Sequence, residues 1–204
     1  MRKIRNLKYY YYRLRQKLYE KKYPDHPWMT SESIKLLDQL IKPEDIGLEF
    51  GSGRSTVWFG KRCKHLTSFE HHNGWYETVI RKLDAANITN IEYFQKDLDA
   101  LPLQSDYFNA VKTFDDDSLD FVIVDGKYRD IIAIEGSKKI KKGGLLVLDD
   151  AHRYLPNKFS IPASIGNSGN SISANWKEFI RVTEIWRKIW TTDGVSATLI
   201  LIRK

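Results

Sequence analysis

The residues of this sequence that could do chemistry are acids placed at the ends of apolar runs. Five such runs end in an acid or a pair of acids: Glu49, Glu70, Asp97, Asp125 and Asp149-Asp150. If the runs are parallel strands, their carboxyl ends meet at one edge of a sheet, where ligands bind. One such acid is often only a helix cap. Five together predict an acid-lined rim, which suits a ligand rich in hydroxyls and cationic groups.

A glycine turn, Gly51-Ser52-Gly53, follows the first of these acids. Glycines allow a tight bend and a close approach of backbone to ligand. The turn lacks the lysine of a P-loop, which argues against a triphosphate. Thr56 stands where a nicotinamide-binding turn has Gly or Ala, and the charge of Glu49 repels a phosphate. We therefore predict that the turn meets a ligand without a phosphate.

Alternating strands and helices would position these residues. We predict strands over 46–50, 66–69, 91–94, 121–124 and 145–148. We predict helices from Thr30 or Ser31 to the residues before Pro43, then over 55–62, 75–86, 131–140 and 175–186. Two more strands, joined at Asp193-Gly194, end the sequence as a hairpin. The alternation predicts a parallel sheet with helices on both faces.

The first 28 residues form a basic arm of a different kind. The net charge is +7, and residues 1–22 hold nine Lys or Arg and a single acid, Glu20. Ile4, Leu7, Tyr11, Leu14 and Leu18 share one face of a helix. Three uses remain open: docking on its own domain or on a second subunit, binding an anionic membrane surface, or binding nucleic acid. The first is favoured and the third is the weakest, because no nucleic-acid motif is present.

The order of acid, glycine turn and second acid resembles the class I S-adenosylmethionine-dependent methyltransferases. The resemblance covers residues 29–204, which we take as the domain. It implies a Rossmann-like α/β fold with a mostly parallel seven-stranded sheet, helices on both faces and a C-terminal antiparallel hairpin strand. It also implies S-adenosylmethionine as cofactor and methyl transfer as activity.

The resemblance also implies roles for individual residues. The stretch from Glu49 through Gly51, Ser52 and Gly53 to Ser55 would wrap the methionine part of the cofactor. Glu70 would accept the ribose hydroxyls, and His71 would border the adenine. Asp97 and Leu98 match the position that meets the adenine amino group. Asp125 would lie beside the methyl group.

Two further expectations concern the reaction itself. His152, Asp150 and Asp125 are the candidate catalytic residues, with His152 as the first choice of base for a hydroxyl acceptor. Asp125, Asp149 and Asp150 are the candidate ligands of a divalent cation such as Mg²⁺. We favour the other interpretation, in which these acids orient loops and contact the cofactor.

The class of acceptor is predicted from a sequence signature that is missing after the fourth strand and from a long loop. The sequence Asp125-Gly126-Lys127-Tyr128 lacks the Asn/Asp-Pro-Pro-Tyr/Phe signature of enzymes that methylate base or amide nitrogens. We therefore expect O-methylation of a small molecule or glycan, with the loop 151–175 as acceptor lid. The alternatives are an RNA methyltransferase that uses the arm, or a non-catalytic scaffold that binds the cofactor.

The compartment is predicted from cysteine usage and hydropathy. The single cysteine, Cys63, excludes an intramolecular disulfide and suits a reducing compartment. No apolar stretch approaches the ~20 residues of a spanning helix. We expect a cytoplasmic protein, at most peripheral on a membrane.

Overall fold

The computed structural model describes residues 7–167 and 172–204. The seven strands are β1 (Ile46–Phe50), β2 (His65–Glu70), β3 (Ile91–Gln95), β4 (Leu119–Val124), β5 (Ile140–Leu148), β6 (Arg187–Thr192) and β7 (Ala197–Ile202). The seven α-helices of these described ranges are α1 (Leu7–Lys22), α2 (Ser31–Leu40), α3 (Arg54–Gly60), α4 (Asn73–Ala85), α5 (Asp106–Asn109), α6 (Arg129–Lys139) and α7 (Ala174–Val182). The predicted Rossmann-like α/β fold is confirmed.

All seven strands form one sheet in the order β3-β2-β1-β4-β5-β7-β6. The first five strands in this order are parallel, and β7 runs antiparallel to both β5 and β6. The chain moves outward from β1 through β2 to β3, then returns to start β4 on the other side of β1. The order therefore reverses between β1 and β4, the place where open α/β sheets bind ligands.

The central strands of the sheet are buried on both faces, and β4 shows this most clearly. Phe121 and Ile123 belong to the core that contains α2 and α3, while Val122 and Val124 belong to the core that contains α6 and α7. All four side chains are fully buried. The two-residue alternation of a strand sends its neighbours to opposite faces. This double burial holds the carboxyl ends of the central strands in fixed positions.

Helix α1 contacts the rest of the protein with the face opposite to its leucines. The Tyr12 ring packs against Gly194 in the β6–β7 turn. Tyr19 packs against the core beside α2, and its hydroxyl lies 2.7 Å from His26 Nδ1. Leu14 and Leu18 are 58% and 59% exposed. Position 4 of the predicted apolar face lies outside the described residues.

The structure differs from the sequence prediction most clearly at three places. Strand β5 begins at Ile140, so the Gly143-Gly144 pair lies inside the strand, at an irregularity in its pairing with β4. Helix α7 ends at Val182, earlier than predicted, because the chain must turn before β6. The segment 102–113 contains two short 3₁₀ turns and α5, for which the sequence showed no clear periodicity.

Candidate active site

A cavity of about 720 Å³ opens at the carboxyl ends of β1, β2 and β4. This volume lies in the range of small-molecule and cofactor sites. Its lining residues come from the loops that follow these three strands, with one from beyond β5: Gly51, Ser52, Glu70, His71, His72, Gly74, Trp75, Asp125, Gly126, Lys127, Arg129 and Tyr154. Of the predicted strand-end acids, Glu70 and Asp125 line this concave site at the strand-order reversal.

The glycine turn fits closely against the loop after β4. Gly51 has a φ of +92°, in the left-handed region that favours glycine. A Cβ on Gly51 would lie 2.4 Å from the Gly126 nitrogen. A Cβ on Gly126 would lie 1.9 Å from the Tyr107 hydroxyl. Both positions need glycine, because side chains there would force the two loops apart and change the floor of the cavity.

Glu49 lies beneath the turn and has no exposed surface. Its Oε2 accepts hydrogen bonds from Thr56 Oγ1 and Ser68 Oγ, both at 2.6 Å. Thr56 Oγ1 in turn accepts from the Gly53 nitrogen at 2.9 Å. Thr56 thus connects the buried acid to the backbone of the turn. Glu49 shapes the cavity from below and does not line it.

Glu49 gives the protein a pH-dependent stability. Burial raises the pKa of Glu49 to about 7, against the opposing effect of nearby hydroxyls. A raised folded-state pKa means that the folded protein holds the proton more tightly than the unfolded chain. The contribution is present below the unfolded value near 4.5 and is lost as pH rises toward 7. Between about pH 5 and about pH 8 the loss should amount to about 2 to 3 kcal/mol.

We expect Glu49→Gln to remove this loss. Urea unfolding of both proteins at the two pH values measures it. Relative to wild type, the unfolding free energy of the variant should be higher at the higher pH than at the lower one. Glu77→Gln, at an exposed position on α4, is the control and should keep the wild-type slope. Equal pH slopes for wild type and Glu49→Gln would contradict the assignment.

Glu70 is the acid at the end of β2, and its carboxylate organises two loops. Oε2 accepts from both the nitrogen and the hydroxyl of Ser52, each at 3.1 Å. Oε1 accepts from the nitrogens of His71 and His72 at 2.9 and 2.8 Å. The residue is 3% exposed and lines the cavity. Ser52 Oγ also lies 2.6 Å from the Tyr93 hydroxyl, so it has a second partner besides Glu70.

Two tryptophans cover the outer side of the glycine turn. Trp75 Nε1 donates to the Ser52 carbonyl at 2.6 Å. The Trp75 ring stacks on Trp28 with centroids 5.9 Å apart. The Arg54 guanidinium lies 5.1 Å from the Trp28 ring centre. The segment after α1 thereby reaches the cavity wall, a contact that the sequence pattern did not show.

Asp125 and Arg129 form the charged pair at the end of β4. Arg129 Nη2 donates to Asp125 Oδ1 at 2.7 Å. Its other nitrogens donate to the carbonyls of Gly126 at 3.0 Å and Asp149 at 2.7 Å, which fixes the ends of β4 and β5 together. Burial raises the pKa of Asp125 to about 6, while Arg129 lowers it and Asp150 raises it further. A third of the Asp125 side chain remains exposed, so this carboxyl group can reach a ligand.

The other candidate metal ligands are committed to protein contacts. Asp149 is buried, and its Oδ1 accepts from Thr198 Oγ1 at 2.6 Å. Asp150 pairs with Arg153 at 3.2 Å. Over residues 7–167 and 172–204, no cluster of three or more His, Cys, Asp or Glu could hold a metal ion. With Asp125 held by its arginine, this set does not fit a divalent cation.

His152 lies away from the cavity. Its side chain is 1% exposed, and Nδ1 accepts a hydrogen bond from the Ala197 nitrogen at 3.2 Å. Burial lowers its pKa. The ring joins the 151–153 turn to the start of β7, which is a positioning role. The structure therefore brings Asp125 to the cavity but not His152, so we do not assign His152 as base.

The remaining predicted residues lie at the margins. Ser55 is buried in the first turn of α3. Asp97 and Leu98 follow β3 on the exposed surface, outside the cavity lining. In the loop 151–175, Asn157 bonds the carbonyls of residues 152 and 155 and holds the first part against the core. Tyr154, which belongs to that loop, lines the cavity. Residues 168–171 of the predicted lid lie outside the described part.

Comparison with known proteins identifies the family of this chain. Residues 48–151, from β1 to the end of β5, match a family model described as a methyltransferase domain. The chain belongs to this methyltransferase domain family. The match contains the glycine turn, Glu70 and Asp125, the same residues that line the cavity. No curated protein matches the chain at a significant level.

Solved structures share the fold of this methyltransferase domain at low sequence identity. A proposed caffeoyl-CoA O-methyltransferase from Staphylococcus aureus superposes with a TM-score of 0.61 and 14% identity, covering 97% of this chain and 99% of that one. A proposed methyltransferase from Streptococcus mutans, solved with S-adenosylhomocysteine, superposes with a TM-score of 0.57 and 12% identity, covering 85% of this chain and 96% of that one. An rRNA methylase from Streptococcus thermophilus superposes with a TM-score of 0.55 and 13% identity, covering 85% of this chain and 94% of that one.

Sequence reasoning missed several residues of this methyltransferase site. They are four side chains that line the cavity and carried no prediction: Trp75, Lys127, Arg129 and Tyr154. Arg129 could have been found, because it stands four residues after Asp125 and just before a predicted helix, where a basic residue can fold back onto an acid at the strand end. Trp75 and Tyr154 gave no such signal, since aromatic residues at helix starts and in loops are usually structural.

Proposed function

We propose that the protein is an S-adenosylmethionine-dependent methyltransferase that methylates an oxygen of a small molecule or glycan. The observation that carries this proposal is Asp125. It is a half-buried carboxyl group with a pKa of about 6, and it lies in the cavity beside the glycine turn. A general base works best when its pKa lies near the working pH. A neutral hydroxyl needs such a base.

The chain's own groups suit the cofactor. Glu70 offers a carboxylate at the cavity wall to hydroxyl groups of a ribose. Gly51 and Gly126 leave backbone without side chains at the cavity floor. The carboxylate of Glu70 can face a cationic group, while the charge of Asp125 is paired with Arg129. When bound, S-adenosylmethionine supplies a methyl group already activated on a sulfonium sulfur.

The protein's task is then to place an acceptor and to take its proton. Arg129 holds Asp125 Oδ1, so we assign Oδ2 to the acceptor hydroxyl. The proton of the hydroxyl moves to this oxygen and later to solvent. Arg129 keeps the carboxyl group in place through its bonds to the carbonyls of β4 and β5, which supports the orientation of the reacting group.

Two observations favour oxygen as acceptor. The loop after β4 reads Asp125-Gly126-Lys127-Tyr128 and lacks the signature of enzymes that methylate base or amide nitrogens. The Staphylococcus aureus structure that covers nearly the whole chain is named as an O-methyltransferase. RNA is the second acceptor to be tested, because one of the similar structures is named as an rRNA methylase.

Calorimetry with S-adenosylmethionine and S-adenosylhomocysteine tests the cofactor. We expect saturable binding of both, and no heat at millimolar ligand would overturn the proposal. Release of S-adenosylhomocysteine is then followed with a panel of phenols, sugars, glycans and RNA. Turnover with a hydroxyl compound supports O-methylation. Turnover with RNA alone, or binding without turnover, assigns the site to an RNA methyltransferase or to a scaffold.

A further inference from the structure

Helix α1 presents an apolar stripe to solvent. Its members are five side chains on one face of the helix, each more than half exposed: Leu7, Tyr10, Tyr11, Leu14 and Leu18. The opposite face, with Tyr12 and Tyr19, already contacts the domain. The sequence left open whether the leucine face docks on the domain. In the structure it does not, so this surface needs another occupant.

Cations line both sides of this stripe. On the helix they are exposed residues at neighbouring angular positions: Lys8, Arg15 and Lys22 on one side, and Lys17 and Lys21 on the other. The acid of the helix, Glu20, lies on the domain side, where it is half-buried and lines the cavity between α1 and the domain. Within Leu7–Lys22 the exposed face is therefore apolar in the centre and positive along its edges.

We propose that α1 binds an anionic lipid surface through this stripe. An interfacial helix buries its apolar face at the boundary between headgroups and acyl chains, while flanking Lys and Arg reach the lipid phosphates. The charge pattern matches such a surface. No helix in the described parts of the chain is long and apolar enough to cross a bilayer, so the proposed contact is peripheral.

The same pattern disfavours two other occupants. A second copy meeting stripe to stripe would bring the cations of both helices to one contact, where they repel each other. Nucleic acid would pair with the cations but would leave Leu14 and Leu18 against phosphates, without apolar burial. An anionic lipid surface can bury the leucines and also pair its phosphates with the cations.

Flotation with vesicles tests the proposal in the full chain. One set is phosphatidylcholine alone, and the other is phosphatidylcholine mixed with phosphatidylglycerol. We expect binding to the anionic set, weakened on the order of tenfold or more by Leu14→Ser with Leu18→Ser. Arg15→Gln with Lys22→Gln should weaken it by a similar factor.

Matched controls separate the stripe from general surface effects. Leu101→Ser with Leu103→Ser removes two equally exposed leucines elsewhere, and Lys61→Gln with Lys64→Gln removes two exposed cations. Both should leave vesicle binding unchanged, and circular dichroism should show that all variants stay folded.

Three outcomes would overturn the proposal. The first is equal or absent binding to both vesicle sets. The second is an unchanged affinity of the leucine variant together with tight binding to RNA, which would assign the cations to nucleic acid. The third is a dimer in sedimentation that the leucine variant dissociates, which would assign the stripe to a second copy. Cofactor calorimetry is independent of all three.

Discussion

Replacing Glu70 by Gln is expected to weaken S-adenosylmethionine binding by about 10- to 100-fold. Charge-assisted hydrogen bonds to a carboxylate are worth about 1.5 to 3 kcal/mol, and each 1.4 kcal/mol is a factor of ten. The substitution also turns one acceptor into a donor. That donor would face either the Ser52 groups or the His71 and His72 nitrogens, which now donate to Glu70. Calorimetry measures the affinity.

Glu77→Gln is the matched control for this experiment. Glu77 lies on the exposed side of α4, and its replacement removes the same charge without touching the cavity. The control should bind like wild type. Thermal unfolding of Glu70→Gln shows how much of its effect is structural, and the affinity is compared at a temperature where both proteins are folded. An unchanged affinity would remove Glu70 from the cofactor site.

Asp125→Asn should lower the rate of methyl transfer by about 100- to 10,000-fold, the usual contribution of a general base. Asn can still accept from Arg129 through Oδ1 but cannot take a proton. Cofactor affinity should change by less than about tenfold, since the loss is one partly exposed charge. Asp84→Asn, an exposed site on α4, is the control and should keep full activity. A variant with near-normal turnover would show that Asp125 is not the base.

The pH profile gives a second readout of the same residue. The active form of Asp125 is the carboxylate, and burial raises its pKa to about 6. The wild-type rate should therefore rise with pH through about 6 and then level off, and Asp125→Asn should lose this limb. Carbon NMR titration of the Asp125 carboxyl group checks the pKa without any acceptor. A rate that is flat through this range would contradict the assignment.

The fold was predictable because its signals are local and repeated. β1 was predicted with its observed bounds, since Pro43 and the glycine turn delimit a short apolar run. The hairpin followed from Asp193-Gly194 between two apolar segments. The length of β5 was not predictable, because Gly143-Gly144 normally marks a turn and here lies in an irregular part of the ladder.

The acids at the strand ends were predictable, but their individual partners were not. Sequence order places Glu49 near the end of a strand and Asp125 and His152 after strands, yet it does not say which way these side chains point. In the structure Glu49 is beneath the turn, Asp125 is in the cavity, and His152 faces β7. These differences follow from the packing of distant segments, such as the Ala197 backbone against His152. The orientation of α1 was not predictable either, since aromatic residues lie on both faces of that helix.

The close approach of Gly51, Gly126 and Tyr107 has a consequence for how such a sequence can change. A methyl group at position 126 would collide with the Tyr107 hydroxyl, and one at position 51 would collide with the loop at 126. Single substitutions at either glycine are therefore disfavoured in the present background. A larger residue at 126 requires a smaller residue at 107 as well, and its Cβ would still lie 3.0 Å from the Gly51 nitrogen, so the three positions constrain one another.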